Sequence, residues 1–103
     1  MIIATYNIWN SEEGMPHRNK YIIEEIKKVN ADVMCLQEVR DKKMAEEIAI
    51  KAGYQYWCFD NYENDEEGLA ILSNMKFVEN VSLLQNANAI YGSFLWDDKK
   101  CLL

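Results

Sequence analysis

Basic residues are scarce in this chain. Eleven lysines and arginines stand against 17 aspartates and glutamates, a formal charge of −6 over 103 residues. That balance argues against a dedicated basic nucleic-acid surface on these residues. It leaves room for a phosphate-bearing ligand, because a bound divalent cation supplies positive charge locally. Cysteine is also sparse. Cys35, Cys58 and Cys101 are an odd, widely spaced set with no zinc-ligand spacing, and any disulfide scheme leaves one over. Cys35 and Cys58 fall in apolar, strand-like runs and read as small buried hydrophobes. A reduced, cytoplasmic setting is the expectation. The single histidine, His17, follows the single proline, Pro16, and reads as a surface loop residue. No apolar stretch reaches membrane-spanning length. The N-terminus lacks the basic segment, apolar core and cleavage site of a signal peptide. There is no repeat, linker or low-complexity tract.

Half of the residues are hydrophobic, enough to build a core, and the length allows one domain at most or part of one. Ile2 to Trp9 alternates as a strand: Ile2, Ala4, Tyr6 and Ile8 share one face, and Ile3, Thr5, Asn7 and Trp9 the other. After a polar loop the pattern turns helical from Arg18. Ile22, Ile26 and Val29 share a face, Glu24 and Lys28 are spaced to pair, and Asn30 is suited to end the helix. Val33 to Gln37 is a second strand, so the opening is a βαβ unit with parallel strands. Asp41 suits a helix N-cap, Met44, Ile48 and Ala52 form a stripe, and Gly53 suits the helix end. Strands are expected at Tyr54–Phe59, Gly68–Ser73 and Phe77–Leu84. Tyr91–Trp96 and Lys100–Leu103 read as hairpin arms around Asp97-Asp98-Lys99. Asp60 to Glu67 reads as an acidic turn. Here Asn61-Tyr62-Glu63-Asn64-Asp65-Glu66-Glu67-Gly68 has oxygen ligands at alternate positions that hint at Ca²⁺, but the central glycine and distal glutamate of an EF-hand loop are missing, so a solvated turn is expected. Trp9, Trp57 and Trp96 could stack on bases; packing is the commoner use of tryptophan.

Two polar residues stand out. Glu38 stands just past the apolar run Val33-Met34-Cys35-Leu36, separated from it by Gln37. Strands buried on both faces read as such runs, and an acid just past one lies at the sheet rim where α/β folds put their chemistry. Asn7 takes a comparable place in the first strand. Parallel strands share the edge that carries their carboxyl ends, so the spacing permits Asn7 and Glu38 to meet.

The order of these pieces resembles the endonuclease/exonuclease/phosphatase superfamily, which includes the pancreatic-deoxyribonuclease-like enzymes. Thr5-Tyr6-Asn7-Ile8 is similar to its first-strand motif, and Ala31-Asp32-Val33-Met34-Cys35-Leu36-Gln37-Glu38-Val39 to its Leu-Gln-Glu motif. Gly68-Leu69-Ala70-Ile71-Leu72-Ser73 is similar to a later core strand. Arg18 falls where the family often has an arginine. The resemblance implies a fold class of α/β (α+β): the N-terminal half of a four-layer α/β/β/α sandwich, with helices on one sheet face. Residues 1–103 would be a single partial domain. It assigns Glu38 to a divalent metal, Mg²⁺ or Mn²⁺ in its place, and Asn7 to the same metal or to the phosphate. The implied activity is hydrolysis of a phosphodiester or phosphomonoester by in-line attack of water. The implied substrate is a phosphate ester: nucleic acid, a phospholipid head group or an inositol phosphate.

Family members carry further motifs, Gly-Asp-x-Asn and Ser-Asp-His, which supply the aspartate that activates water and a phosphate-contacting histidine. Neither occurs here, and His17 matches no family histidine. The expectation is therefore a first half that is inactive alone. The rival expectation is a non-catalytic module that self-associates as a homo-oligomer or pairs with a complementary C-terminal half, because half a sandwich leaves an apolar face uncovered.

Overall fold

A computed structural model describes residues 1–84, 89–96 and 99–102, with side-chain detail from Met1 to Phe77. The chain runs β1 (Ile3–Asn7), α1 (His17–Val29), β2 (Val33–Val39), α2 (Lys42–Ala52), β3 (Tyr56–Asn61), β4 (Gly68–Ser73), β5 (Phe77–Leu84), β6 (Ala89–Trp96) and β7 (Lys99–Leu102). The first sheet has strand order β1-β2-β4-β3 and the second β5-β6-β7. β1 and β2 are parallel, as a βαβ opening requires, and β4 runs antiparallel to both β2 and β3.

Both helices end as their sequences direct. Asn30 closes α1 in the left-handed conformation, φ 52° and ψ 46°, which asparagine tolerates. Asp41 caps α2, its Oδ1 accepting the Met44 N–H at 2.9 Å. Gly53, at φ 85°, follows the last turn of α2. The Gly53 N–H donates to Ile50 O and the Tyr54 N–H to Ala49 O, the paired bonds of a Schellman ending.

The helices cover one face of the first sheet. Ile22, Ile23 and Ile26 of α1 and Ala45, Ile48 and Ala49 of α2 pack with Met34, Leu36, Val39, Ala70 and Leu72 of the strands. Val33 and Ile71 point to the other face, where Cys35, Cys58, Met75 and Phe77 join them. Phe77 opens β5; β5 comes against β3 and β6 against β4. The result is a partial α/β sandwich with helices on one side of the first sheet.

Several boundaries differ from the sequence pattern. Tyr54 is not in a strand: its backbone closes α2, its ring enters the core, and its hydroxyl donates to Ala31 O at 2.8 Å. β3 therefore starts at Tyr56 and continues through Asp60 and Asn61, which had read as turn. Gly68 makes that extension feasible, because a Cβ there would collide with the Asp60 carbonyl. His17 is the first residue of α1 rather than a loop residue, although exposed. Val29 is exposed, and Ile23 takes its expected place in the core. Glu24 and Lys28 form no ion pair; the i,i+4 pair among the described residues is Glu47–Lys51, at 2.8 Å. Such surface pairs contribute little, so packing is free to set these rotamers. β6 begins at Ala89 and β7 at Lys99. Asp97, Asp98 and Leu103, and the side chains of Trp96 and Cys101, lie outside the described residues.

Candidate metal and phosphate site

Asn7 and Glu38 lie at the same edge of the sheet. Asn7, the last residue of β1, pairs with Gln37 of the parallel neighbour β2, and the Ile8 N–H donates to Gln37 O at 3.1 Å. Adjacent strands lie about 4.8 Å apart, so Glu38 is one residue beyond a directly paired neighbour of Asn7.

A β-bulge decides where Glu38 points. Leu36 pairs with Ala70 and Val39 with Gly68. Two residues on β2, Gln37 and Glu38, therefore stand opposite one on β4, Leu69. Strict alternation from buried Leu36 would send Glu38 into the helix-side core. The extra residue shifts the phase, and Val39 occupies that core position with no exposed surface. Glu38 is left half-buried at the rim, with its backbone at φ 58°. A side chain other than glycine resists that region because its Cβ crowds the following carbonyl.

The Glu38 carboxylate has no hydrogen-bond or ion-pair partner among the described residues. Tyr62 lies beside it. Burial pushes the Tyr62 hydroxyl above its ordinary pKa, a backbone hydrogen bond at Glu38 works the other way, and the carboxylates of Glu67, Glu38 and Asp65 add to the rise. Asn7 is exposed, and its Oδ1 accepts the Trp9 N–H at 3.0 Å. Its Nδ2 has no partner among the described residues.

Polar side chains tie the surrounding loops together. The Arg18 guanidinium donates to Ile8 O at 3.0 Å, Trp9 O at 2.7 Å and Ser11 O at 2.8 Å. It also lies 4.9 Å from the centroid of the Trp9 ring. Arg40, two residues past Glu38, donates from Nε to Asn10 Oδ1 at 3.1 Å and pairs with Glu12 at 2.6 Å. Asn10 Nδ2 in turn donates to Glu67 Oε1 at 2.8 Å. Three loops at the carboxyl edge of β1 and β2 are thereby linked. The sequence pattern had flagged Arg18 only by resemblance, had missed roles for Arg40 and Asn10, and had read Tyr62 and Glu67 as part of a solvated turn. One signal was legible: Glu38 is in phase with Leu36, so an unbroken strand would bury a lone carboxylate.

Besides those outward contacts of Tyr62 and Glu67, the Asn61–Gly68 turn bonds several of its polar groups to one another. Asn61 Nδ2 donates to Tyr62 O and Asp65 O, and Asp65 Oδ1 accepts the Glu67 N–H. Trp57 packs against the helix-side core, whereas Trp9 is 50% exposed. Among the described residues no group of three or more His, Cys, Asp or Glu side chains is placed to hold a metal ion. A zinc centre normally draws three or four ligands from protein, so the donor set does not fit zinc. Magnesium keeps several waters and binds through one or two carboxylates plus substrate phosphate. A donor set of one unpaired carboxylate, with an amide on the neighbouring strand tip, is compatible with that ion.

The chain matches solved structures over nearly its whole length. A functionally unknown conserved protein from Enterococcus faecalis V583 superimposes with a TM-score of 0.76 at 22% identity, over 99% of this chain and 50% of that one. An endonuclease/exonuclease/phosphatase family protein from Leptotrichia buccalis C-1013-b gives 0.74 at 16% identity, over 99% and 51%. An AP endonuclease from Archaeoglobus fulgidus gives 0.63 at 26% identity, over 99% and 40%. The chain thus spans about half the length of the first two. Comparison with curated proteins finds no significant match. No helix among the described residues is long and apolar enough to cross a membrane. The family model for the endonuclease/exonuclease/phosphatase family matches residues 4–93, which include both strand tips and the bulge, and the chain belongs to that family.

Proposed function

We propose that this chain carries the metal- and phosphate-binding part of a Mg²⁺-dependent phosphoesterase. One observation supports the reading: the bulge keeps an unpaired Glu38 out of the core, at the tip of the strand whose preceding residue, Gln37, pairs with Asn7. Glu38 would hold the cation. Asn7 already uses one lone pair of Oδ1 on the Trp9 N–H; a second lone pair and both Nδ2 protons stay available. Nδ2 is the end suited to a phosphate oxygen, and Oδ1 could still face the cation. A bound divalent ion supplies charge neutralisation at the phosphoryl oxygens and at the leaving oxygen during attack by water in line. The ester phosphate is the substrate class, and Mn²⁺ would substitute for Mg²⁺.

His17 sits on the solvent face at the start of α1, and no aspartate–histidine pair among the described residues is placed to activate water. The chain alone is therefore expected to bind but to turn over poorly or not at all. The test is Mn²⁺ binding, read from water-proton relaxation, for the wild type and Glu38→Gln. At least tenfold weaker binding is expected, the scale for losing a charge-assisted contact. Equal binding would end the assignment.

A second reading has its own observation. β1 is the outer strand of the first sheet, and Ile2 and Ile3 are 56% and 48% exposed. An apolar edge of that kind invites pairing with another chain, either a second copy or a complementary half. Sedimentation showing a dispersed monomer at high concentration would count against self-association.

A further inference from the structure

We propose that Trp9 is a stacking platform for the planar ring of a small, nucleotide-like phosphate ester anchored at Asn7 and Glu38. This deepens the phosphoesterase reading and rests on it. Single exposed apolar side chains are common and by themselves mean little. Tyr21, 62% exposed on α1, is of that kind. Trp9 differs in its backbone and in how it is held.

Its φ is 55°. For a bulky aromatic residue that is an outlier, and outliers of this kind persist only where surrounding structure enforces them. Three contacts do so. Asn7 Oδ1 accepts the Trp9 N–H at 3.0 Å, Arg18 Nη2 donates to Trp9 O at 2.7 Å, and the guanidinium lies 4.9 Å from the ring centroid. Arg18 is itself anchored on Ile8 O and Ser11 O. The indole is thus held against a fixed cation while half of the residue's surface stays in solvent. An aromatic surface ordered in advance loses little freedom on binding.

The same side chain that fixes the backbone of Trp9 is the amide expected to meet phosphate. A ligand gripped at Asn7 therefore places its neighbouring group within reach of the indole. A flat heteroaromatic ring stacks on such a face with its whole π-surface. The charge of −6 disfavours a long polyanion, so a mononucleotide fits better than a polymer.

The test uses indole N–H resonances in ¹H–¹⁵N correlation spectra of the 103-residue chain. The Trp9 signal is identified by its loss in Trp9→Phe. Adenosine 5′-monophosphate and ribose 5-phosphate are titrated separately with Mg²⁺. The nucleotide should shift the Trp9 resonance upfield and bind roughly 5- to 100-fold more tightly than the sugar phosphate, the range of one base–aromatic stack. Trp9→Ala should erase that advantage, and Trp9→Phe should keep part of it. Equal affinities, or an unmoved Trp9 signal at saturation, would overturn the platform. A decamer of deoxyadenylate binding more tightly than the mononucleotide at roughly physiological salt would overturn the restriction to small esters. Glu38→Gln separates the two levels. If nucleotide still shifts Trp9 with unchanged affinity, the platform stands and the metal reading falls. If sugar phosphate binding depends on Glu38 and Mg²⁺ but the base adds nothing, the metal reading stands and the platform falls.

Discussion

Replacing Glu38 with glycine should make the fold more stable and the site useless. At φ 58° an L side chain costs about 1–2 kcal/mol through its Cβ. Glycine removes that cost but gives the unfolded chain extra freedom, an opposing effect of about 0.4–1 kcal/mol. Alanine removes the carboxylate and keeps the Cβ, so Glu38→Ala is the proper reference. The mid-range difference leaves Glu38→Gly ahead of Glu38→Ala by about 0.8 kcal/mol. For a domain of about this length such a difference shifts Tm by roughly 3–6 °C. Thermal unfolding followed by far-ultraviolet circular dichroism measures it, and Mn²⁺ relaxation measures the site. Both variants should lose the cation, while only glycine gains stability. If alanine proved as stable as glycine, Glu38 would not be held in the left-handed region. The phase shift that keeps its carboxylate out of the core would then need another origin.

Other predictions follow from packing and burial. Gly68→Ala should destabilise by more than about 2 kcal/mol, because its Cβ meets the Asp60 and Asn61 backbone. Gly53→Ala should cost only about 1 kcal/mol, since φ is 85° but the space is open; chemical denaturation would rank the two, and a reversed order would refute the packing. Burial pushes the Cys58 thiol up to about 12. At pH 8 only about one molecule in ten thousand would carry the thiolate, so alkylation should run roughly a thousandfold slower than for an ordinary cysteine. The neutral thiol's contribution to stability is fully present below pH 9 and is lost as pH rises through about 12. Denaturant midpoints that rose over that interval would contradict the burial. Cys35 and Cys58 both lie opposite Ile71, on either side of β4. That places their Cα atoms about 9–10 Å apart, two strand spacings, beyond disulfide reach. Mild oxidation should leave no Cys35–Cys58 bridge in the folded protein, as peptide mass mapping would report.

Much of the frame was legible from local chemistry. The spacing of Ile22 and Ile26 marked α1, and Asn30, Asp41 and Gly53 all take the terminal roles their side chains suit. β4 matches its expected span from Gly68 to Ser73. The parallel pairing of β1 with β2 follows from the helix between them. Asn7 and Glu38 were legible as candidates because a polar residue after an apolar run marks a strand tip.

Errors arose where a residue served a distant partner. Tyr54 has a strand-former's side chain, but its hydroxyl is satisfied on Ala31 and its N–H on Ala49, so the strand begins later. Nothing near Asn10 in sequence shows that it would bridge Arg40 and Glu67.

By itself, then, the sequence determined the periodic elements, their caps, the βαβ opening and the family, because each rests on neighbours within a turn or on a short motif. Only the tertiary structure decided that β4 lies between β2 and β3 and that β2 carries an extra residue. It alone showed that Arg18 fastens the loop bearing Trp9. Those outcomes depend on contacts between residues far apart along the chain, whose hydrogen bonds are satisfied only when the whole sheet is assembled.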